Sequence, residues 1–291
     1  MNIYKEAHMF QVLLFEGIPG SGKTTFSKRI KKYLNHKGYQ PIIFHEGDIH
    51  PIDLAWCSYM DEETFQVCLD KYEHLQDQIM DLTEKKGDYY VTAYTRIKVN
   101  DKKDLGVYED FSKHEIYKFH DLDRFKKIHK NLYQHFNQKC KKNDIYIFEC
   151  VLLQNHFNEL ILRYHKDKSY MIDYFNDLLD QLSNIRIQII HLQQENVERD
   201  LKKIIEERTP ETMNIPKNWV DLVIDYLDQQ PYARKLGYVG EQGVYDYYSD
   251  RQSLEKDIIP HLHTNIKTFT VNQNYDEVYQ KIIQFIEKEW I

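Results

Sequence analysis

Glycine and proline are both scarce in this chain, with 10 Gly and 7 Pro among 291 residues, where glycine alone usually makes up about 7%. That scarcity excludes collagen-like repeats and Gly/Pro-rich linkers, and no internal repeat divides the chain. Cysteine is limited to Cys57, Cys68, Cys140 and Cys150. None falls in a CxxC pair, so neither a zinc knuckle nor a redox dithiol is indicated, and a reducing compartment fits. Basic charge is not in excess: 39 Lys+Arg stand against 46 Asp+Glu, a net charge of −7. A general nucleic-acid coat is disfavoured, because displacing counterions from a phosphate backbone needs a basic surface. No apolar stretch approaches the ~18 residues of a membrane helix; the longest, Ile145 to Leu153, is interrupted by Glu149. Lys5, Glu6 and His8 leave no apolar region for an export signal. The expectation is a cytoplasmic protein with no membrane span.

Three of the ten glycines, Gly17, Gly20 and Gly22, fall within six residues. In a chain so sparing with glycine, backbone geometry must require the cluster. Before it, Val12 to Phe15 is a continuous apolar run, the pattern of a strand buried on both faces of a parallel sheet. After it, Phe26, Ile30, Tyr33 and Leu34 recur at helical spacing until Gly38. Pro41 to His45 reads as a second strand, which begins a βαβ array.

Further along, the apolar stripe from Phe65 to Leu82 predicts one long helix between Asp61 and Lys86. Asp88 to Ile97 reads as a strand, rich in aromatic and β-branched residues. Lys98 to about Asp110 reads as a loop. A second long helix leads from Leu122 to Cys140 into the strand Ile145–Phe148, closed by Glu149. Helical patterns follow on both sides of the polar run His165–Ser169, then a strand over Ile185–Leu192 and a helix beyond it. Pro216 suits the first turn of the next helix. Tyr245 to Ser249 reads as an aromatic loop, Ile266 to Val271 as the last strand, and Val278 to Ile286 as the closing helix. The 23 tyrosines carry no function as a class.

Gly17-Ile-Pro19-Gly20-Ser21-Gly22-Lys23-Thr24 satisfies GxxxxGK[ST] at every fixed position, between a strand and a helix. Glycines at these positions let backbone N–H groups curl around a polyphosphate at a helix N-terminus. Lys23 suits the β/γ-phosphates and the Thr24 hydroxyl suits Mg²⁺. Gly17, Pro19, Gly20, Ser21, Gly22, Lys23, Thr24 and Thr25 are the candidate nucleotide-binding residues.

With this motif the chain resembles the P-loop NTPases, and among them the nucleoside, nucleotide and small-molecule kinases. The resemblance implies a three-layer α/β fold with a mostly parallel central sheet, helices on both faces and helical insertions. It is read as one domain over residues 1–291, with insertions near 50–143 and a lid-like region near 194–215. It further implies ATP or GTP and Mg²⁺ as cofactors, and an acid at the end of a later strand that holds the metal or accepts the acceptor's proton. Glu149, after Ile-Tyr-Ile-Phe, is that acid, and an ionised group ending an apolar strand is costly without a partner. In such kinases arginines after the next strand close over the phosphates. Arg199 and Arg208 occupy that place, and a planar guanidinium suits phosphate oxygens. Arg199 is also spaced for an ordinary helix-face ion pair with Glu195.

Strand ends of an open α/β sheet face the ligand crevice. Glu46 and Asp48, which follow the second strand, are candidate acceptor contacts, as are Tyr94, Arg96, Gln154 and Asn155. A metal site from His45, Glu46, Asp48 and His50 fits no recognised zinc spacing. The function expected is transfer of a γ-phosphoryl group to a hydroxyl of a small molecule such as a nucleoside, sugar or antibiotic. An ATP-binding switch with slow hydrolysis is the alternative. A polynucleotide end kinase is disfavoured by the net charge unless an insertion carries a local basic groove.

Overall fold

In the computed structural model, which describes residues 11–141, 143–209, 217–272 and 274–290, Val12–Glu16 forms β1, buried along its whole length. A strand with no exposed face belongs inside a parallel sheet covered on both sides. β6 (Tyr146–Glu149) and β7 (Ile187–Gln194) flank β1, both parallel to it. β2 (Ile42–Phe44) and β8 (Asn265–Val271) complete a five-stranded sheet of order β2-β6-β1-β7-β8, with β8 parallel to β7.

Alternate side chains of each strand go to opposite faces. Leu13, Phe15, Ile190 and Leu192 pack against α1 (Lys23–His36) and the closing helix α11 (Tyr275–Trp290). On the other face His191 meets Glu255 of α10 (Gly240–Ile258) at 2.9 Å. Helices thus cover both faces of a mostly parallel sheet, the α/β class read from the sequence. Among the described residues, no helix is long and apolar enough to cross a membrane.

Sequence reasoning reads one domain with an insertion; backbone contacts divide the chain into two compact units, Met1–Ile43 with Cys140–Ile291, and Phe44–Lys139. The second unit has its own three-stranded antiparallel sheet, formed by β3 (Ser58–Met60), β5 (Tyr89–Thr92) and β4 (Thr83–Lys86) in that order. Around it lie α2 (Glu62–Lys71), α3 (Gln76–Asp81), α4 (Gly106–Ser112) and α5 (Leu122–Lys139). Met60, Phe65, Ile79, Tyr94 and Phe111 belong to its core.

Several local readings change here. The stripe from Asp61 to Lys86 is not one helix: α2 ends at Lys71, a 3-10 turn and α3 follow, and Thr83–Lys86 is strand. Gly87 at φ +63° opens a two-residue hairpin to Tyr89, and the Thr83 and Thr92 hydroxyls meet at 2.8 Å. Spacing could not reveal the break, because Leu75 and Leu82 continue the stripe into the same core. The strand read over Asp88–Ile97 stops at Thr92, so Tyr94 and Arg96 lie on a 3-10 turn. The loop read over Lys98–Asp110 contains a 3-10 turn and part of α4, which buries Val107 and Phe111. Tyr245–Ser249 is not a loop but part of the 19-residue α10, where Tyr245, Tyr247 and Tyr248 are core residues. Tertiary burial there outweighs the modest helix propensity of tyrosine. Pro216 lies outside the described residues; α9 (Trp219–Asp228) starts after it.

The helical side of the first unit encloses a charged network. The Arg251 guanidinium donates from Nε to Glu255 at 2.9 Å and from Nη1 to Asn158 at 3.0 Å, and all of Arg251, Glu255 and His191 are buried. Burial opposes ionisation of Glu255, but the charge of Arg251 and the bond to His191 outweigh it and hold the carboxyl down at about 2. A carboxyl depressed from an unfolded value of 4.5 adds stability above that value and loses it as pH falls towards 2. Urea midpoints followed from pH 6 to pH 2 should show this loss in the wild type and not in Glu255→Gln. Arg251→Met at pH 7 should cost about 3–5 kcal/mol, since it strands the buried carboxylate.

Candidate active site

The first unit brings the glycine cluster and Glu149 together. β1 ends at Glu16, and the chain turns through Gly17, Gly20 and Gly22, all at positive φ, into α1. The tightness of the loop is steric. A Cβ on Gly17 would lie 2.3 Å from the Leu192 carbonyl oxygen, and one on Gly20 would strike Ile204 of α8 (Val197–Glu207). Gln194, at the end of β7, fastens the loop by donating from Nε2 to the Pro19 carbonyl at 2.9 Å, and its own backbone is paired with the amide of Gln252.

Gly22 stands at the N-cap of α1 without a side-chain cap, so the first-turn N–H groups and their positive dipole end face the loop. Lys23 is buried, and its ammonium donates to the carbonyls of Gly17 at 2.8 Å and Ile18 at 2.9 Å. The Ser21 hydroxyl is buried with no hydrogen-bond partner among the described residues. Thr25, one position beyond Thr24, is exposed.

Glu149 ends β6, parallel to β1 with Phe15 opposite it. Its carboxylate accepts from the Thr24 hydroxyl at 2.8 Å and from the Ser27 hydroxyl. Thr24 keeps an accessible side chain, and a hydroxyl that donates its one proton to Glu149 retains its lone pairs. Two hard oxygen donors, one anionic, therefore stand beside the loop, a set that suits Mg²⁺.

Glu16 is a second carboxylate that sequence reasoning missed. Fully buried, it accepts from the backbone N–H of Leu152 at 2.7 Å and of Gln154 at 3.1 Å. Burial pushes it up to about 7, against those backbone donors and the charge of Lys23. The signal was the one used for Glu149, an acid closing an apolar strand, but Glu16 sat inside the flank of the motif. Ser27 and Gln194 were also missed, since neither belongs to the motif.

Gln154 and Asn155 begin α6 (Gln154–Asn158), both buried. Arg199 lies on the exposed face of α8, bonded to Asp200 at 2.8 Å and 3.6 Å from Glu195. Arg208 follows the end of α8 and lies over the Trp219 ring at 5.5 Å. Residues 210–215 of the lid-like region, including Pro210, lie outside the described residues.

The other candidates belong to the second unit. The Asp48 carboxylate pairs with the Arg96 guanidinium and also accepts the His45 N–H at 2.7 Å. Glu46 accepts from the Trp56 indole at 2.9 Å. Trp56 is itself unusual, exposed and at φ +63°, a conformation that costs a non-glycine residue of order 1–3 kcal/mol. Tyr94 is buried with its hydroxyl on Glu115. His50 is buried too; its Nδ1 takes the Ile52 N–H at 3.1 Å, and burial pushes it down to about 3.

No protein-family model matches the chain, and no curated protein matches it. Among solved structures it is similar to thymidylate kinase from Candida albicans, at 13% identity over 98% of this chain and 95% of that one, with a TM-score of 0.36. A likeness that distant assigns neither fold nor substrate, so the chemistry of the site rests on its own residues.

Proposed function

We propose that this chain is a phosphotransferase that moves the γ-phosphoryl group of ATP or GTP to a hydroxyl of a small molecule. The observation that carries the reading is the pairing of a complete phosphate loop with an acid one strand away: Thr24 and Glu149 meet at 2.8 Å beside the first turn of α1. In the proposal the loop N–H groups receive the β-phosphate, and Lys23 exchanges the Gly17 and Ile18 carbonyls for β/γ oxygens. Thr24 and Glu149 hold Mg²⁺, which when bound neutralises charge on the phosphates. Both oxygens of Glu149 already accept hydroxyl protons, which favours metal support over general base.

Arg208 is the arginine retained for the transferring phosphoryl, because ring stacking leaves its fork of donors available, whereas Arg199 is occupied by acids on its own face. Gln154 and Asn155, which follow Glu149 in the first unit, are proposed acceptor contacts. Tyr94 is set aside because its hydroxyl is committed to Glu115.

Phosphorus NMR with Mg-ATP and pooled nucleosides, sugars and hydroxylated antibiotics should show a new phosphoester resonance. Inorganic phosphate alone would favour a nucleotide switch instead. Lys23→Ala should abolish nucleotide binding in calorimetry. Glu149→Gln should keep nucleotide binding but weaken the response to Mg²⁺ and lower turnover by about 10–100-fold; normal turnover would remove Glu149 from the mechanism. In steady-state assays Arg208→Ala should lower kcat by at least tenfold and Arg199→Ala by less than about twofold, since exposed ion pairs contribute at most ~1 kcal/mol.

A further inference from the structure

Glu16 has a connection that neither metal support nor acceptor binding uses. It ends β1, one residue before Gly17, and its two carboxylate oxygens reach across to the turn that follows β6. That turn is a constrained one. Cys150 is held at φ +67°, and its N–H is bonded to the Phe15 carbonyl at 3.1 Å. Three bonds therefore sew the end of β1 to the segment Cys150–Gln154: Cys150 to Phe15, Leu152 to Glu16 and Gln154 to Glu16. Glu149 immediately precedes this segment, and Gln154 and Asn155 close it.

The groups around Glu16 divide clearly. From α1, the Lys23 ammonium favours the ionised carboxylate, and it is bound to the carbonyl of the very next residue, Gly17. From β7, His191 stands opposite Glu16 in register but is bonded to Glu255. From β6, Glu149 is engaged by Thr24 and Ser27. From α6, His156 is bonded through Nδ1 to Tyr174 at 2.7 Å. The Cys150 thiol is buried in the turn itself. Lys23 is thus the cation that favours the Glu16 charge, more weakly than the backbone donors do, and it is also the group a polyphosphate would claim.

We propose that Glu16 is a positioning residue that couples the phosphate loop to the Cys150–Asn155 segment, taking up a proton and loosening its hold on that segment when a nucleoside triphosphate fills the loop. This rests on the reading that the loop binds such a nucleotide. The step is a protonation only: the proton comes from bulk water and joins one carboxyl oxygen, and no bond of the nucleotide changes. Phosphate oxygens draw the Lys23 ammonium and add negative charge beside Glu16, and both changes favour the neutral acid. A neutral carboxyl has one oxygen that now donates, so it cannot accept both backbone N–H groups equally well. One of the bonds to Leu152 and Gln154 weakens, and the segment carrying Gln154 and Asn155 gains freedom as the nucleotide arrives. Because burial already brings Glu16 to about 7, a modest change in local charge suffices near neutral pH.

The test is calorimetry of the full chain with a non-hydrolysable ATP analogue and excess Mg²⁺ at pH 7, in buffers of different ionisation enthalpy. Wild type should take up as much as about half a proton per bound analogue, since a group titrating near 7 is about half ionised there. Uptake should fall at pH 5 and at pH 9, and Glu16→Gln should lose it while still binding. Equal uptake by both proteins would overturn the proposal. Should Glu16→Gln not fold, infrared difference spectra of wild type labelled with ¹³C-glutamate decide: a label-shifted band of a protonated carboxyl must grow on adding the analogue, and its absence overturns the proposal. Failure of wild type to bind the analogue at all would instead remove the nucleotide reading, and this inference with it.

Discussion

A methyl group on Gly17 would sit 2.3 Å from the carbonyl oxygen of Leu192, and one on Gly20 would collide with Ile204. The end of β7 and the helix after it press on the glycine loop so closely that only hydrogen fits. This contact shapes the rest of the site. Within it the loop turns at positive φ at Gly17, Gly20 and Gly22, a conformation open to glycine without a steric cost. It brings Gln194 within reach of the Pro19 carbonyl, so the loop is held from β7 as well as by its own strand. It also makes α8 a neighbour of the loop through the buried Ile204, while Arg199 of that helix lies on its exposed face.

Within this frame, two buried carboxylates near the loop experience different surroundings. Glu149 is met by two hydroxyls that each donate a proton. Glu16 is met by backbone N–H groups and a lysine, yet its burial is complete and desolvation dominates. A third acid, Glu255, is equally buried and is driven the other way, because a guanidinium lies directly against it. The contrast shows that burial alone does not set the charge of an acid. The Arg251 guanidinium outweighs desolvation at Glu255, whereas the backbone donors and the charge of Lys23 do not at Glu16.

The geometry of the glycine loop was legible because it is written in consecutive residues. Gly17 to Thr24 specify backbone geometry directly, and Glu149 announced itself as an acid closing an apolar strand. Glu16 obeys the same rule but lies just past the apolar run Val12–Phe15, in the flank of the glycine motif. In the second unit, sequence pattern and structure diverge for physical reasons. The stripe through Leu75, Ile79 and Leu82 serves one core whether the backbone is helix or hairpin, so spacing could not locate the turn at Gly87. Tyr245, Tyr247 and Tyr248 read as a loop by propensity, but burial in a shared core makes them helix. Arg96 is placed by long-range bonds, to Asp48 and to the Gly47 carbonyl at 3.2 Å, which no local motif encodes.

The loop from His45 to Cys57 shows why irregular backbone resists reading from sequence. Its turns are fixed by side chains folding onto their own backbone: Asp48 onto the His45 N–H, His50 onto Ile52, and Asp53 onto the Ala55 N–H at 3.2 Å. These ties let Trp56 persist in a left-handed conformation, with its indole on Glu46 and much of the ring exposed. Strain of this kind survives only where surrounding bonds over-determine it. Each tie is short in sequence, but its effect on Trp56 is cumulative, so no single residue pair predicts it. The glycine loop is specified by consecutive residues, whereas a turn held by such ties is specified only by all of them together.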